Sequence, residues 1–348
     1  MRPLNIAVAG AGLIGKTHIK LIDQHPSCAL AAIIDPMEPA RALANSLQTP
    51  YFGELDEALE QLDLDGMVLA TPNNLHVEQG IKCINANIPT LIEKPVAHNQ
   101  TAGEDLLHAA SEANAKILVG HHRMHSPIME SAREIVRSGK LGDLVAVSGS
   151  ALFLKPDDYF VAGPWRTRLG GGPILINMIH EVGNLRFLCG EIVEVQAIGS
   201  NASRKFEVED SVGILFRFES GAIGTFILSD TAGSARSWEQ TSQEDKRYPS
   251  YGDEDCYHLS GTYGSLSIPT MRMKRYGDNE SRSWWNPFLC ETADVSRSDP
   301  LVGQLNHFCQ LIRGEVESKV TVYDALQNLK VTDAIVEAAK TGERVLIS

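Results

Sequence analysis

The chain has 348 residues, of which 43% are hydrophobic and 22% charged, with a formal net charge of −13. That length exceeds what one hydrophobic core serves, so two globular domains are expected, and no apolar run is long enough to span a membrane. The acidic balance excludes a nucleic-acid partner, because phosphate backbones are bound through clustered Lys and Arg.

Met1-Arg2-Pro3-Leu4 leads into a strand rather than a secretory leader. Six cysteines (28, 83, 189, 256, 290, 309) show no C-x-x-C pairing. They read as reduced packing residues of a cytoplasmic protein. In the first third, apolar runs at 6–9, 30–34, 66–70, 90–92 and 117–119 predict strands. Helical patterns at 17–24, 39–46, 76–86 and 101–113 lie between them. This alternation gives an α/β fold opening on a doubly wound parallel sheet, whose ligands sit beyond the carboxyl ends of the strands.

Beyond residue 122 the pattern changes. Helices are expected at 128–138, 174–189 and 323–341, with a short strand after the last. Strands are expected at 144–153, 192–199, 211–218, 222–229, 257–261 and 264–269. Consecutive strands with short glycine turns predict an α+β domain containing a large, mostly antiparallel open sheet. The domains are accordingly 1–122, for the dinucleotide, and 123–348, for substrate and self-association. An open sheet covers itself in a homodimer or homotetramer. The polar stretch 232–257 reads as a mobile loop, and no internal repeat is present.

The most informative local signal is Ile6-Ala7-Val8-Ala9-Gly10-Ala11-Gly12-Leu13-Ile14-Gly15, followed twenty residues after Gly15 by Asp35 at the end of a second apolar run. Gly10 permits the tight turn, Gly12 lets backbone approach a pyrophosphate, and Gly15 lets helix pack on strand. The following helix start offers N–H groups to phosphate, and Asp35 can accept from ribose hydroxyls. Its carboxylate repels a 2′-phosphate, so NAD is the expected cofactor over NADP.

Two further stretches follow strands on the same edge: Thr71-Pro72-Asn73-Asn74-Leu75-His76 and Glu93-Lys94-Pro95. A lysine delivered by a strand end and followed by proline is placed to put a cation into the cleft. Further on, Gly170-Gly171-Gly172-Pro173 opens an apolar helix on which Asn177, His180 and Asn184 recur at i, i+3 and i+7 and share a face. Buried polar groups need partners, either structural or a ligand.

These motifs together resemble the Gfo/Idh/MocA oxidoreductases, the family of glucose–fructose oxidoreductase and inositol dehydrogenase. The resemblance spans almost the whole chain, and Glu93-Lys94-Pro95 is its most specific mark. It implies hydride transfer between a nicotinamide cofactor and a secondary alcohol or ketone of a sugar, cyclitol or related polyhydroxy ring. It also implies that Lys94, joined to Pro95 by a cis bond, and His180 are catalytic. Asn73, His76 and Glu93 would then lie along the nicotinamide ribose. Relatives carry an aspartate four residues before the histidine and often another three after it. Here Ile176 and Gly183 occupy those positions, with Asn177 one place away. A cis-dihydrodiol dehydrogenase and a non-catalytic NAD-binding regulator are the alternative functions.

Gly120-His121-His122-Arg123-Met124-His125 follows the fifth strand, and Trp165-Arg166-Thr167-Arg168 precedes the glycine run. The histidines lack an accompanying acid, so no metal is expected. His122 and Trp165 are expected to line the substrate pocket. Arg123, Arg166 or Arg168 is expected to receive an anionic group there, because arginine favours bidentate carboxylate contacts.

Overall fold

A computed structural model describes residues 2–277 and 281–347. The chain begins β1 (Leu4–Ala9), α1 (Leu13–Gln24), β2 (Cys28–Ile34), α2 (Glu38–Ser46), β3 (Tyr51–Phe52) and α3 (Leu55–Gln61). It continues with β4 (Gly66–Leu69), α4 (His76–Asn85), β5 (Thr90–Ile92), α5 (Gln100–Glu112) and β6 (Ile117–Val119). The six strands form one parallel sheet in the order β3-β2-β1-β4-β5-β6. The central strand β1 is covered on both faces: Ile6, Ala7, Val8 and Ala9 are fully buried, as helices on both sides of a parallel sheet require. The order reverses between β1 and β4, which puts the ligand crevice beyond their carboxyl ends. The sequence reading misses β3 and α3, which are too short to show a period.

A 3₁₀ turn (His122–His125) leads to α6 (Pro127–Arg137). Ser126 caps α6 by accepting from the Ile128 and Met129 amides at 3.1 and 3.3 Å. Next come β7 (Leu144–Leu152), α7 (Asp157–Val161), a π turn (Ile174–Met178) running into α8 (Ile179–Cys189), β8 (Ile192–Ser200), β9 (Ser211–Phe218) and β10 (Ile223–Ser229). The remainder is α9 (Trp238–Thr241), β11 (Tyr257–Gly261), β12 (Gly264–Ile268), β13 (Arg272–Arg275), β14 (Leu289–Thr292), α10 (Pro300–Arg313), α11 (Val322–Thr341) and β15 (Val345–Leu346).

The nine strands order as β14-β13-β12-β11-β7-β10-β9-β8-β15. Two antiparallel meanders, β8–β10 and β11–β14, flank β7, which pairs parallel with β10 and antiparallel with β11. Side chains alternate along β9: Val212, Ile214, Phe216 and Phe218 are buried, whereas Gly213, Leu215 and Arg217 are exposed. One sheet face is therefore core and the other open. Strands β13 and β14 and helix α10 are absent from the sequence reading, since Arg-Met-Lys-Arg and Leu-Cys-Glu-Thr carry no apolar alternation. Residues 232–257 are more than a surface loop: α9 lies within them, and Trp238, Thr241, Ser242 and Glu244 are buried.

The chain divides into two compact units. One runs to His122 and includes Leu301–Leu329. The other comprises Arg123–Pro300 and the chain from Lys330. A single cut after residue 122 thus places Leu301–Leu329 differently. The reason is local: a Cβ on Gly66 of β4 would meet the Phe308 ring of α10 at 3.2 Å, so α10 packs directly on the parallel sheet.

Candidate active site

The glycine fingerprint folds as a strand–turn–helix. Gly10 has φ +91°, and a Cβ there would lie 2.7 Å from the Thr71 amide nitrogen. A Cβ on Gly15 would run into the Gly10 carbonyl, so α1 approaches β1 only because both positions are glycine. Gly12 is the N-cap of α1 with no side-chain cap, and a Cβ there would meet nothing within 4 Å. Gly12 and Leu13 are exposed, and the uncapped first amides of a helix are the groups that receive a pyrophosphate. Asp35 follows β2, its Oδ2 accepting from the Ala11 amide at 2.8 Å and its Oδ1 from the Met37 amide at 2.9 Å. These bonds hold the carboxylate beside the glycine turn. Arg41, on α2, is 3.7 Å from Glu38 and stacks over Tyr51.

At the end of β4, Pro72 and Asn73 are exposed, and Thr71 Oγ1 donates to Gln79 at 2.6 Å. His76 is different. It is buried, with Nδ1 2.8 Å from the Pro95 carbonyl and Nε2 2.9 Å from the Thr71 carbonyl. Burial pushes its pKa down. His76 thus ties the segment after β4 to the segment after β5 and has no ring nitrogen left for a cofactor ribose.

Glu93 is also internal, 6% exposed. Its Oε1 lies 2.8 Å from His18 Nε2 on α1, and its Oε2 accepts from the Lys94 amide at 3.2 Å. Burial alone would raise its pKa, but His18, then His122 and Lys94, outweigh burial and hold it below the ordinary carboxylate range. A Cβ on Gly120 would lie 2.8 Å from the Glu93 carboxylate, so the end of β6 is glycine where Glu93 passes. Glu93 therefore braces the strand end that carries Lys94, and the Lys94–Pro95 bond is cis.

In the second unit the triple glycine leads into the π turn, which contains Asn177, and then α8, which contains His180. The i to i+5 winding offsets Asn177 from the register of α8. Asn177 and Asn184 consequently take different partners. Asn177 Oδ1 accepts from Lys155 Nζ at 2.6 Å, and His180 is half-buried. Asn184, expected on their face, is fully buried and donates to the Tyr257 hydroxyl at 2.7 Å.

The expectation for Arg123 is corrected. Its side chain is buried, with one guanidinium nitrogen 2.6 Å from Glu181 and the other paired with Glu239. Tyr257 donates to the second oxygen of Glu181. Burial opposes charge on Arg123, but the two carboxylates keep its pKa raised. A guanidinium gripped at both ends cannot also clamp a substrate anion. The neighbouring histidines divide among environments: His121 packs 3.3 Å from Asn328, His125 is buried, and His122 is half-buried.

Trp165 is 56% exposed. Arg166 stacks on Tyr159, 3.8 Å from the ring centroid, and donates to the Tyr159 carbonyl, whereas Arg168 is exposed. The sequence reading passed over four residues: Glu181, Glu239 and Tyr257, which gather around Arg123, and Lys155, which shares the Tyr159 ring with Arg166. Lys155 had a legible signal, because Lys155-Pro156 follows a strand just as Lys94-Pro95 does. His18 was also missed, although it is a polar residue on the buried face of the fingerprint helix.

Among the described residues one soft-ligand group comes together. His25, Cys28 and Cys309 hold their ligand atoms within 4.8 Å of one another, with the two sulfurs 3.3 Å apart. It lies at the amino end of β2, the sheet edge opposite Asp35. Also among the described residues, no helix is long and apolar enough to cross a membrane.

Comparison with known proteins agrees with this geometry. Residues 4–121 match the family model for an oxidoreductase family with an NAD-binding Rossmann fold, and residues 129–267 match the GFO/IDH/MocA C-terminal domain. The chain is 24% identical to the rhizopine catabolism protein MocA of Rhizobium meliloti, over 97% of this chain and 95% of that protein. It is 26% identical to an inositol 2-dehydrogenase of Arthrobacter sp., over 99% and 96%. The fold is shared with the WlbA dehydrogenase of Bordetella pertussis, crystallised with NADH and UDP-GlcNAcA: the TM-score is 0.79 at 23% identity, covering 100% of this chain and 99% of that one. With both halves matched and the glycine turn, Asp35 and the parallel sheet in place, the chain belongs to the Gfo/Idh/MocA family of NAD-binding oxidoreductases.

Proposed function

We propose that this oxidoreductase transfers a hydride between nicotinamide and a secondary alcohol, or the corresponding ketone, of a sugar, cyclitol or related polyhydroxy ring. The observation that carries the reading is Lys94, delivered at the carboxyl end of β5 by a strand end that Glu93, His18 and His76 brace from beneath. Bound nicotinamide supplies the hydride acceptor, and Gly12, the first amides of α1 and Asp35 are the groups that would hold the dinucleotide. Lys94 hydrogen-bonds the alcohol oxygen and stabilises negative charge as it develops there. His180 accepts the hydroxyl proton, and in the reverse direction His180 returns it to the carbonyl oxygen while Lys94 keeps its hydrogen bond to that oxygen. With Ile176 in place of an aspartate, no carboxylate at that position stands behind His180. The dinucleotide is assigned to the unit that contains the parallel sheet, and the substrate groups to the unit from Arg123 onward. The open face of the nine-stranded sheet, where Ile198, Leu215 and Ile227 are exposed, is assigned to a homodimer or homotetramer contact.

The test is NADH formation against a panel of polyols, sugars, cyclitols and cis-dihydrodiols, with Lys94→Ala and His180→Ala as comparisons. Each variant is expected to lose about 10²–10⁴-fold in kcat while binding NADH as the parent does. Turnover that survives both substitutions would overturn the assigned roles.

A further inference from the structure

We propose that a cavity of about 710 Å³ in the second unit seats a carboxylate-bearing polyhydroxy substrate, with Lys155 receiving the carboxylate; this rests on the dehydrogenase reading above. The walls include Lys155, Tyr159, Asn177, Glu239, Tyr248 and Tyr251. Aromatic faces beside amide and hydroxyl groups suit a ring that is apolar on its face and hydroxylated at its edge.

Lys155 is fixed at its backbone. Leu154 bridges to Thr231, the Lys155 amide donates to the Asp230 carbonyl at 2.9 Å, and Arg204 donates to the Lys155 carbonyl at 2.8 Å. Its side chain, 11% exposed, reaches Asn177 Oδ1 at 2.6 Å and comes within 3.7 Å of Asp230. The ammonium lies over Tyr159, 4.9 Å from the ring centroid.

Lys155 shares its nearest carboxylate with another cation. Asp230 is shared, since Arg204 Nε donates to it at 2.8 Å. Arg166 adds a third cation, stacked on the same Tyr159 ring, and among the described residues no carboxylate pairs with it. Glu239, across the cavity, is already gripped by Arg123. Arg204 also lies 3.7 Å from Asp157. Asp230 is thus divided between Arg204 and Lys155, and among the described residues Lys155 has no carboxylate to itself. Burial, reinforced by Arg166 and only partly offset by Asp230, accordingly pulls the Lys155 ammonium down to about 8. A carboxylate on the ligand gives Lys155 a countercharge that it does not have to share. Asn177 matters here because an amide oxygen orients the ammonium without neutralising it, which an aspartate at that position would do. The single charge of one ammonium matches a carboxylate rather than a phosphate dianion.

The experiment uses matched pairs: D-glucose with D-glucuronate, D-galactose with D-galacturonate, and D-glucitol with D-gluconate, with D-glucose 6-phosphate as the dianionic arm. NAD reduction is measured for the parent chain, Lys155→Met and Lys155→Arg, and binding to the enzyme–NADH complex is measured by calorimetry. Thermal unfolding and NADH affinity establish that each variant is folded. The acid member of at least one pair is expected to be favoured in kcat/KM. Lys155→Met should shrink that acid-over-neutral ratio about 10–100-fold, chiefly through KM, and Lys155→Arg should restore part of it. If the acids bind in a Lys155-dependent way but no pair turns over, the pocket assignment stands and the dehydrogenase reading fails. Preference for the neutral members or for the phosphate overturns the inference and leaves the dehydrogenase reading intact. An acid preference unmoved by Lys155→Met, or no binding of any acid, likewise overturns it.

Discussion

Glu93 and His18 form a buried pair, Oε1 to Nε2 at 2.8 Å, directly beneath the strand end that carries Lys94. Removing one partner leaves the other buried and unpaired at that position. His18→Ala or Glu93→Ala is therefore expected to destabilise the chain by about 3 kcal/mol, read as the urea midpoint at constant slope. The double variant should cost less than the sum of the two. A strictly additive cycle would show that the two side chains are not coupled.

Asp35 is held by two backbone amides beside the glycine turn, so its charge is fixed where a ribose would lie. Asp35→Ala is expected to weaken NADH binding roughly 10–100-fold, the worth of a charged hydrogen-bond acceptor. It should also narrow the preference over NADPH, because the repulsion of a 2′-phosphate disappears with the carboxylate. Fluorescence titration of both cofactors checks the pair of effects.

Glu244 accepts from Ser126 Oγ at 2.5 Å and from Trp238 Nε1 at 3.2 Å. Burial nonetheless pushes its carboxyl up to about 7. A raised native pKa means that the folded state holds the proton more tightly than the unfolded state. Its stabilising contribution is thus complete below about pH 4.5 and is lost as pH rises through 7. The loss is on the order of 3 kcal/mol, from 1.36 kcal/mol per pKa unit. Glu244→Gln keeps a neutral hydrogen-bonding group in place and should flatten unfolding free energy across that window. An unchanged slope would place the titration elsewhere.

Leu215 and Ile227 stand exposed on the open sheet face. Leu215→Glu is expected to shift the chain toward the mass of a single protomer in light scattering, with NADH binding retained. A parent chain that is already monomeric would remove the assembly assignment.

The parallel sheet was legible because each of its longer strands is a continuous apolar run between helical periods. Gly10, Gly12, Gly15 and Asp35 were legible because backbone geometry at a dinucleotide turn demands those residue types at that spacing. The edge elements β3, β13 and β14 were not, since two to four residues without alternation carry no periodic signal. The pairing of β7 with β10 was equally hidden, because β8 and β9 lie between them in the chain and sequence order does not reveal which strands share an edge.

What the amino-acid order determined by itself was the cofactor turn, the acid beyond β2 and the lysine after β5, all set by local chain geometry. Which charged groups remain available was decided only by tertiary packing. Arg123 looked like an anion receptor until Glu181 and Glu239 were brought around it, and Glu93 and His76 looked like cofactor contacts until folding turned them inward. Lys155 drew no notice until Asn177, Asp230 and Arg166 surrounded it. The physical reason is that a charge's role depends on which countercharges share its low-dielectric surroundings. Glu181, Glu239, Asn177 and His18 each lie 22 to 116 positions in the chain from the residue they engage.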